Sequence, residues 1–296
     1  MRRFLSTMAV VALAAGVACT EGTSPNAQMA RVTIQLTDGF GDFSAATVEI
    51  GAVVLIPADG PPITVTDNAG SFNLLDLQNG VTATLATLDV PAGQYLQLRL
   101  IVNGAEVTLA DGMAFRDGST SKTLKVPSGA QSGIKVLLFD EDDFGHDESM
   151  GTENPEERDG VTLGSGETII VLDFDVARNF VLTGPKWEPT GVLFKPVIRA
   201  VVRDVAGSIA GTVTNAADAS PAVGATVRAT LLDSPVLPEL QTAEATAVTD
   251  DAGAYKIWYL SPGTYEVSVD GSTVTPVTVT VGANEAITDV DFQLPS

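Results

Sequence analysis

Cysteine and histidine are nearly missing from this 296-residue sequence: Cys19 and His146 are the single representatives of each. One cysteine excludes any disulfide within the chain, so stability has to come from packing and hydrogen bonds. One histidine removes most catalytic designs, because Ser-His-Asp and Cys-His arrangements need a base oriented by a third group. A zinc peptidase would need two or three His or Cys ligands, and that set does not exist here. Basic residues are scarce as well, with 16 Lys and Arg against 37 Asp and Glu, a formal net charge of −21. Such a surface repels phosphate backbones, which makes nucleic acid a poor partner, and it promotes solubility. The one pronounced apolar run, Phe4 to Val17, spans about fourteen residues. A membrane-spanning helix needs roughly twenty.

That run follows Met1-Arg2-Arg3 and turns to small residues at its end, the three-part plan of a secretory signal. Gly16-Val17-Ala18-Cys19 resembles a bacterial lipobox, in which the cysteine is acylated and becomes the mature N-terminus. The resemblance implies a lipoprotein signal peptide over 1–19, lipidation at Cys19 and a linker over 20–30. Thr20 stands where inner-membrane lipoproteins often have Asp, which by the same resemblance points to the outer membrane. Lipoboxes usually carry Leu where this chain has Gly16, so a plainly secreted protein is the alternative. Two or more acyl chains on Cys19 would anchor durably where a single chain is marginal.

Beyond Ala30 the apolar residues recur with period two, and no long stretch carries helical periodicity. Val32, Ile34 and Leu36 alternate with Thr33 and Gln35, and Leu96, Leu98 and Leu100 with Gln97, Arg99 and Ile101. Further strands are expected over Glu167–Asp175 and Phe194–Val202, then at denser spacing over Ile209–Val213, Ala225–Leu231, Tyr255–Leu260, Tyr265–Val269, Val274–Val281 and Val290–Leu294. Short strands broken by Gly, Pro, Asn and Asp argue for an all-β chain of two antiparallel β-sandwich modules in tandem. A boundary near Asp204–Gly207 divides them into 31–204 and 205–296.

Gly211-Thr212-Val213, Pro221 to Val227, Thr249-Asp250-Asp251-Ala252-Gly253-Ala254-Tyr255 and Pro262-Gly263-Thr264-Tyr265 carry a resemblance to the carboxypeptidase regulatory-like family. The resemblance implies an Ig-like, transthyretin-like sandwich that accompanies other functions and does not catalyse. Gly253 and Gly263 sit where turns favour a positive φ, with the following Tyr returning to the core. Residues 32–203 resemble a domain family of unknown function found on bacterial lipoproteins. The carrying segments are Leu36-Thr37-Asp38 with Gly41-Asp42-Phe43, Leu74 to Gly80, Lys125 to Ala130, Val171-Leu172-Asp173-Phe174-Asp175, and Leu193 to Arg199. The two modules also echo each other. Thr66 to Leu74 lines up with Thr249 to Ile257, and Pro91-Ala92-Gly93-Gln94-Tyr95 with Pro262-Gly263-Thr264-Tyr265, an echo that either related topology or convergent turn chemistry would produce.

The acidic insertion 140–160 offers hard oxygen ligands, and Asp140, Asp142, Asp143 and Asp147 are candidate calcium ligands. The EF-hand pattern fails there, at Phe144 and Gly151, and a solvated loop is the competing reading. Among aromatics, Tyr255 and Ile257 share one face of their strand and Trp258 points to the other. Trp258 is thus a candidate binding residue, either a platform for a sugar or a cover for the junction between modules, and Trp187 carries the same ambiguity. These features point to a non-catalytic, membrane-anchored protein that binds or scaffolds, with a glycan or a protein as partner at the cell surface. A carbohydrate-binding accessory module is one alternative, and a hydrolase working with carboxylates alone is another. No spacing picks out a catalytic pair.

Overall fold

The computed structural model describes residues 28–38, 43–126, 132–138, 160–232 and 244–295. The first module carries β1 (Met29–Thr37), β2 (Phe43–Pro57), β3 (Ile63–Thr66), β4 (Gly70–Asn73), β5 (Ala83–Pro91), β6 (Gly93–Leu109), β7 (Ser121–Leu124), β8 (Ile134–Leu137), β9 (Val161–Leu163), β10 (Glu167–Asp173), β11 (Phe180–Thr183), β12 (Gly191–Phe194) and β13 (Arg199–Val202). The second carries β14 (Gly207–Asn215), β15 (Thr226–Leu231), β16 (Glu244–Val248), β17 (Ala254–Leu260), β18 (Gly263–Val269), β19 (Val277–Val281), β20 (Ala286–Ile287) and β21 (Phe292–Leu294). Among the described residues, helix is confined to a 3-10 turn over Leu74–Leu77 and a single α-turn, α1 (Val176–Asn179). No helix of the described residues is long and apolar enough to cross a membrane.

Each module is a β-sandwich with its own core. In the first, the sheet β13-β10-β1-β5 packs on a seven-stranded sheet built around the long antiparallel pair of β2 and β6. Val32, Ile34 and Leu36 of β1 point inward, as their alternation requires, to meet Val48, Ile50, Leu98 and Leu100. Most pairings are antiparallel, but β1 and β10 run parallel over seven positions. A parallel pair needs a crossover, and here the whole seven-stranded sheet supplies it. The second module stacks β16-β15-β18-β19 on β17-β14-β20, with β21 also beside β14; both closing strands pair with β14 in parallel. Its core gathers Ile209, Tyr255, Ile257, Tyr265 and Val267.

Two expected strands come out differently. Leu96 is only half-buried while Tyr95 is buried, because the β2–β6 register shifts between Ile56 and Pro57 and moves the inward phase by one residue. The stretch expected as one strand from Phe194 to Val202 is split into the end of β12 and β13. Buried Asn179 does the splitting, since its side chain accepts from the Val197 N–H at 2.6 Å and donates to the Val197 carbonyl at 3.0 Å, taking groups a ladder would need.

The echo between modules separates into two parts. Tyr95 donates to the Pro91 carbonyl at 2.8 Å and Tyr265 to the Ser261 carbonyl at 2.8 Å, each four residues upstream. Gly93 and Gly263 take φ of 155° and 152° at the same place in each corner. Both are tyrosine corners. The Thr66 and Thr249 turns differ in topology: β3 and β4 both pair with β2, whereas β16 and β17 belong to different sheets. That half of the echo is turn chemistry alone.

Candidate functional site

A group of buried polar residues, Thr37, Asp38, Asp173 and Asp175, gathers where the two modules meet. β1 ends in Thr37, whose hydroxyl donates to the Leu77 and Val81 carbonyls at 3.1 and 2.9 Å and so ties down the turn over Gln78-Asn79-Gly80-Val81. Asn79 and Gly80 are both left-handed, at φ 58° and 80°, and Val81 N–H closes the turn on the Gln78 carbonyl at 3.2 Å. Asn-Gly suits that geometry, because both central positions need positive φ. Asp38 follows β1 and accepts from the Val176 N–H at 3.0 Å, which seats α1 beside it.

The second module closes on this turn with the end of β17. The Trp258 ring lies flat against Gly80, so close that a Cβ there would come within 2.9 Å of it. The Tyr259 hydroxyl donates to the Gly80 carbonyl at 2.8 Å, and Tyr259 itself is held at φ 54°, a conformation that a bulky residue adopts only under constraint. The Lys256 ammonium sits 3.5 Å from the Trp258 ring centroid. Trp258 is therefore covered by Gly80 and Lys256 and remains 38% exposed.

Beneath this contact lie the charges. Arg199 of β13 pairs with Asp173 of β10 at 2.6 Å, both side chains largely out of water. Burial alone would lower the arginine pKa, but the Asp173 charge, with help from Tyr265 and Asp175, outweighs it and raises the pKa. Arg199 also faces the hydroxyl of Tyr265, which burial pushes up to about 12 while Arg199 pulls the other way. The first module thus presents a buried cation to the tyrosine corner of the second. Asp175 lies next to this pair, and neither of its carboxylate oxygens reaches a hydrogen bond among the described residues. Burial and the Asp173 charge push its carboxyl up to about 7, against Arg178.

The cleft between Asp38, Gly80, Asp173 and Trp258 encloses about 30 Å³. That is room for about one water and too little for a metabolite. Among the described residues, no group of three or more His, Cys, Asp or Glu is arranged to hold a metal ion. A larger recess of about 800 Å³, lined by Pro57, Pro61, Ile63 and Pro91, lies at the opposite end of β1. Its chemistry is apolar, and it gathers no titratable cluster.

Of the residues singled out from the sequence, Cys19, Asp140, Asp142, Asp143, Asp147 and His146 lie outside the described residues. Trp187 is 68% exposed on the turn between β11 and β12. Trp258 stands at the junction. Sequence reasoning passed over Asp173, Asp175 and Arg199 as site residues, although a signal existed: each is a charge next to a buried apolar run, as in Val171-Leu172-Asp173-Phe174-Asp175.

A family model described as a domain of unknown function, DUF4382, matches residues 29–196, and one for a carboxypeptidase regulatory-like domain matches residues 208–295. No curated protein matches the chain. Among solved structures the chain is similar to the Bacillus anthracis TIE protein, at 10% identity and a TM-score of 0.21 over 88% of this chain and 33% of that one. It thus spans about a third of that protein's length. It is also similar to a putative carbohydrate binding protein from Pseudomonas aeruginosa, at 18% identity and a TM-score of 0.20 over 32% of this chain and 90% of that one. The major pilin subunit of Bacillus cereus aligns at 12% identity and a TM-score of 0.24, over 90% of this chain and 99% of that one.

Proposed function

This chain belongs to the DUF4382 family, and on that premise we propose a non-catalytic role at the cell surface, in which the first module is a spacer that holds the second away from a lipid anchor at Cys19. The second module is the binding or scaffold element, and the outer membrane is the anchoring surface. One observation carries the reading: the chain enters the fold and meets the second module at opposite ends of β1. Gln28 accepts from the Ala92 N–H at 2.7 Å at one end, while Thr37 and Asp38 line the junction at the other. A nine-residue strand at about 3.4 Å per residue sets the two ends apart. The buried Arg199–Asp173 pair against Tyr265, with Trp258 and Tyr259 on Gly80, supports a stiff connection. The same contacts favour a junction role for Trp258 over a sugar platform, which needs an open ring face.

Mass spectrometry of the N-terminal peptide tests the anchor, with acylated Cys19 and outer-membrane fractionation as the expected result. Cys19→Ala should release a soluble, folded protein. An unmodified N-terminus that begins downstream of Cys19 sinks the anchor. Fluorophores at positions 29 and 272 of the lipidated chain on vesicles test the spacer. A bilayer-bound quencher should darken position 29 strongly and position 272 weakly, and equal quenching overturns the spacer reading alone.

A further inference from the structure

Sheet edges are where β proteins either guard themselves or pair with something, and several edges of this chain carry guards. β5 carries Asp89 and Pro91 and a register shift against β1. β13 carries Arg199, β7 carries Lys122, and β17 carries Lys256 with left-handed Tyr259. β19 is different. It ends its sheet, reads Val277-Thr278-Val279-Thr280-Val281, and contains no charge, no proline and no irregularity in its register with β18. Among the described residues nothing pairs with its outer side. Thr278 and Thr280 are exposed on one face, while Val279 and Val281 pack toward the core on the other.

The five residues are also a palindrome. If two copies of β19 pair antiparallel about a two-fold axis through Val279, Val277 meets Val281 and Thr278 meets Thr280. Every valine then extends the apolar layer and every threonine faces its like, a cross-strand match that sheets favour. Thr280 already makes such a contact within the chain, its Oγ1 lying 3.4 Å from that of Thr264 on β18. In a chain with a net charge of −21, an uncharged edge is where a second copy approaches against the least repulsion.

We infer that β19 is a self-association edge, joining two copies of this chain through an antiparallel Val277–Val281 pair into one continuous sheet. The contact is isologous and closes on itself, so it stops at a dimer. Its direction matters too. Val281 pairs with Gly263 at the junction end of β18, and Val277 with Val267 at the other. The two-fold axis therefore places the first modules of the two copies at opposite ends of the joined sheet. This inference stands on the edge alone and holds whether or not Cys19 carries lipid.

Sedimentation velocity of the purified full chain over rising concentration, with small-angle scattering at the highest, tests it. The wild-type chain should shift from monomer to an elongated dimer. Thr278→Lys places an ammonium on the edge opposite Glu266, its cross-strand neighbour, and should weaken association by about tenfold or more without altering the amide spectrum of the fold. Thr278→Val should strengthen it. A chain that stays monomeric throughout, a dimer untouched by Thr278→Lys, or a compact dimer with its first modules side by side would each overturn the inference.

Discussion

Asp175 is buried beside a second carboxylate, and the physics of that position is unfavourable to charge. Burial and the neighbouring Asp173 charge push its carboxyl from the ordinary 3.8 up to about 7, so the folded chain holds a proton that the unfolded chain releases. The stability linked to that proton is fully present below about pH 4 and is lost as pH rises through about 7. Asp175→Asn keeps the side chain neutral at every pH. Its unfolding free energy should exceed the parent's by an amount on the order of a few kcal/mol at about pH 8, and match it near pH 4. Equal free energies at both values would mean that Asp175 is solvated as a charge. Arg199 obeys the opposite rule, since its pairing with Asp173 helps offset its burial and its pKa is raised.

At the scale of elements, the two tyrosine corners bracket the architecture. Each fixes the entry of a central strand, β6 in one module and β18 in the other, by one hydrogen bond from a buried hydroxyl. Tyr95→Phe should cost about 1 kcal/mol, the worth of that bond. Tyr265→Phe should cost more, because it also strips the group that Arg199 faces. Hydrogen exchange by module checks this, with the first substitution loosening residues 29–202 and the second loosening both sides of the junction. The second corner, Gly263 with Tyr265, was legible in sequence, because positive φ admits few residues other than glycine and a tyrosine two positions on alternates back inward, whereas the inward turn of Tyr95 was not, since it depends on the register shift against β2. The break before β13 was not, since Asn179 lies far from Val197 in sequence order and only the fold brings its amide there.

At the scale of the whole molecule, two cores and one polar seam divide the chain. The second core shares no buried hydrophobic residue with the first, and a domain of about ninety residues buries somewhat over 60% of its unfolded surface, which is workable without disulfides. Residues 206–296 expressed alone should therefore fold cooperatively, with a dispersed amide spectrum. Trp258 emission should shift to the red in that fragment, as the ring loses its cover from Gly80. A collapsed spectrum would mean that the seam holds up the second module, and that Arg199 and Gly80 belong to its fold.

The sequence by itself determined the all-β class, the tandem of two β-sandwich modules, and the inward faces of most strands. Period-two alternation and turn residues act locally, and a local signal needs no knowledge of distant partners. Only the tertiary structure decided which way Asp173, Asp175 and Arg199 are used, and that Trp258 lies on Gly80. Those contacts join residues from 80 to 265 across two modules. No pattern along the chain specifies them, because their energetics depend on which charges the fold removes from water together.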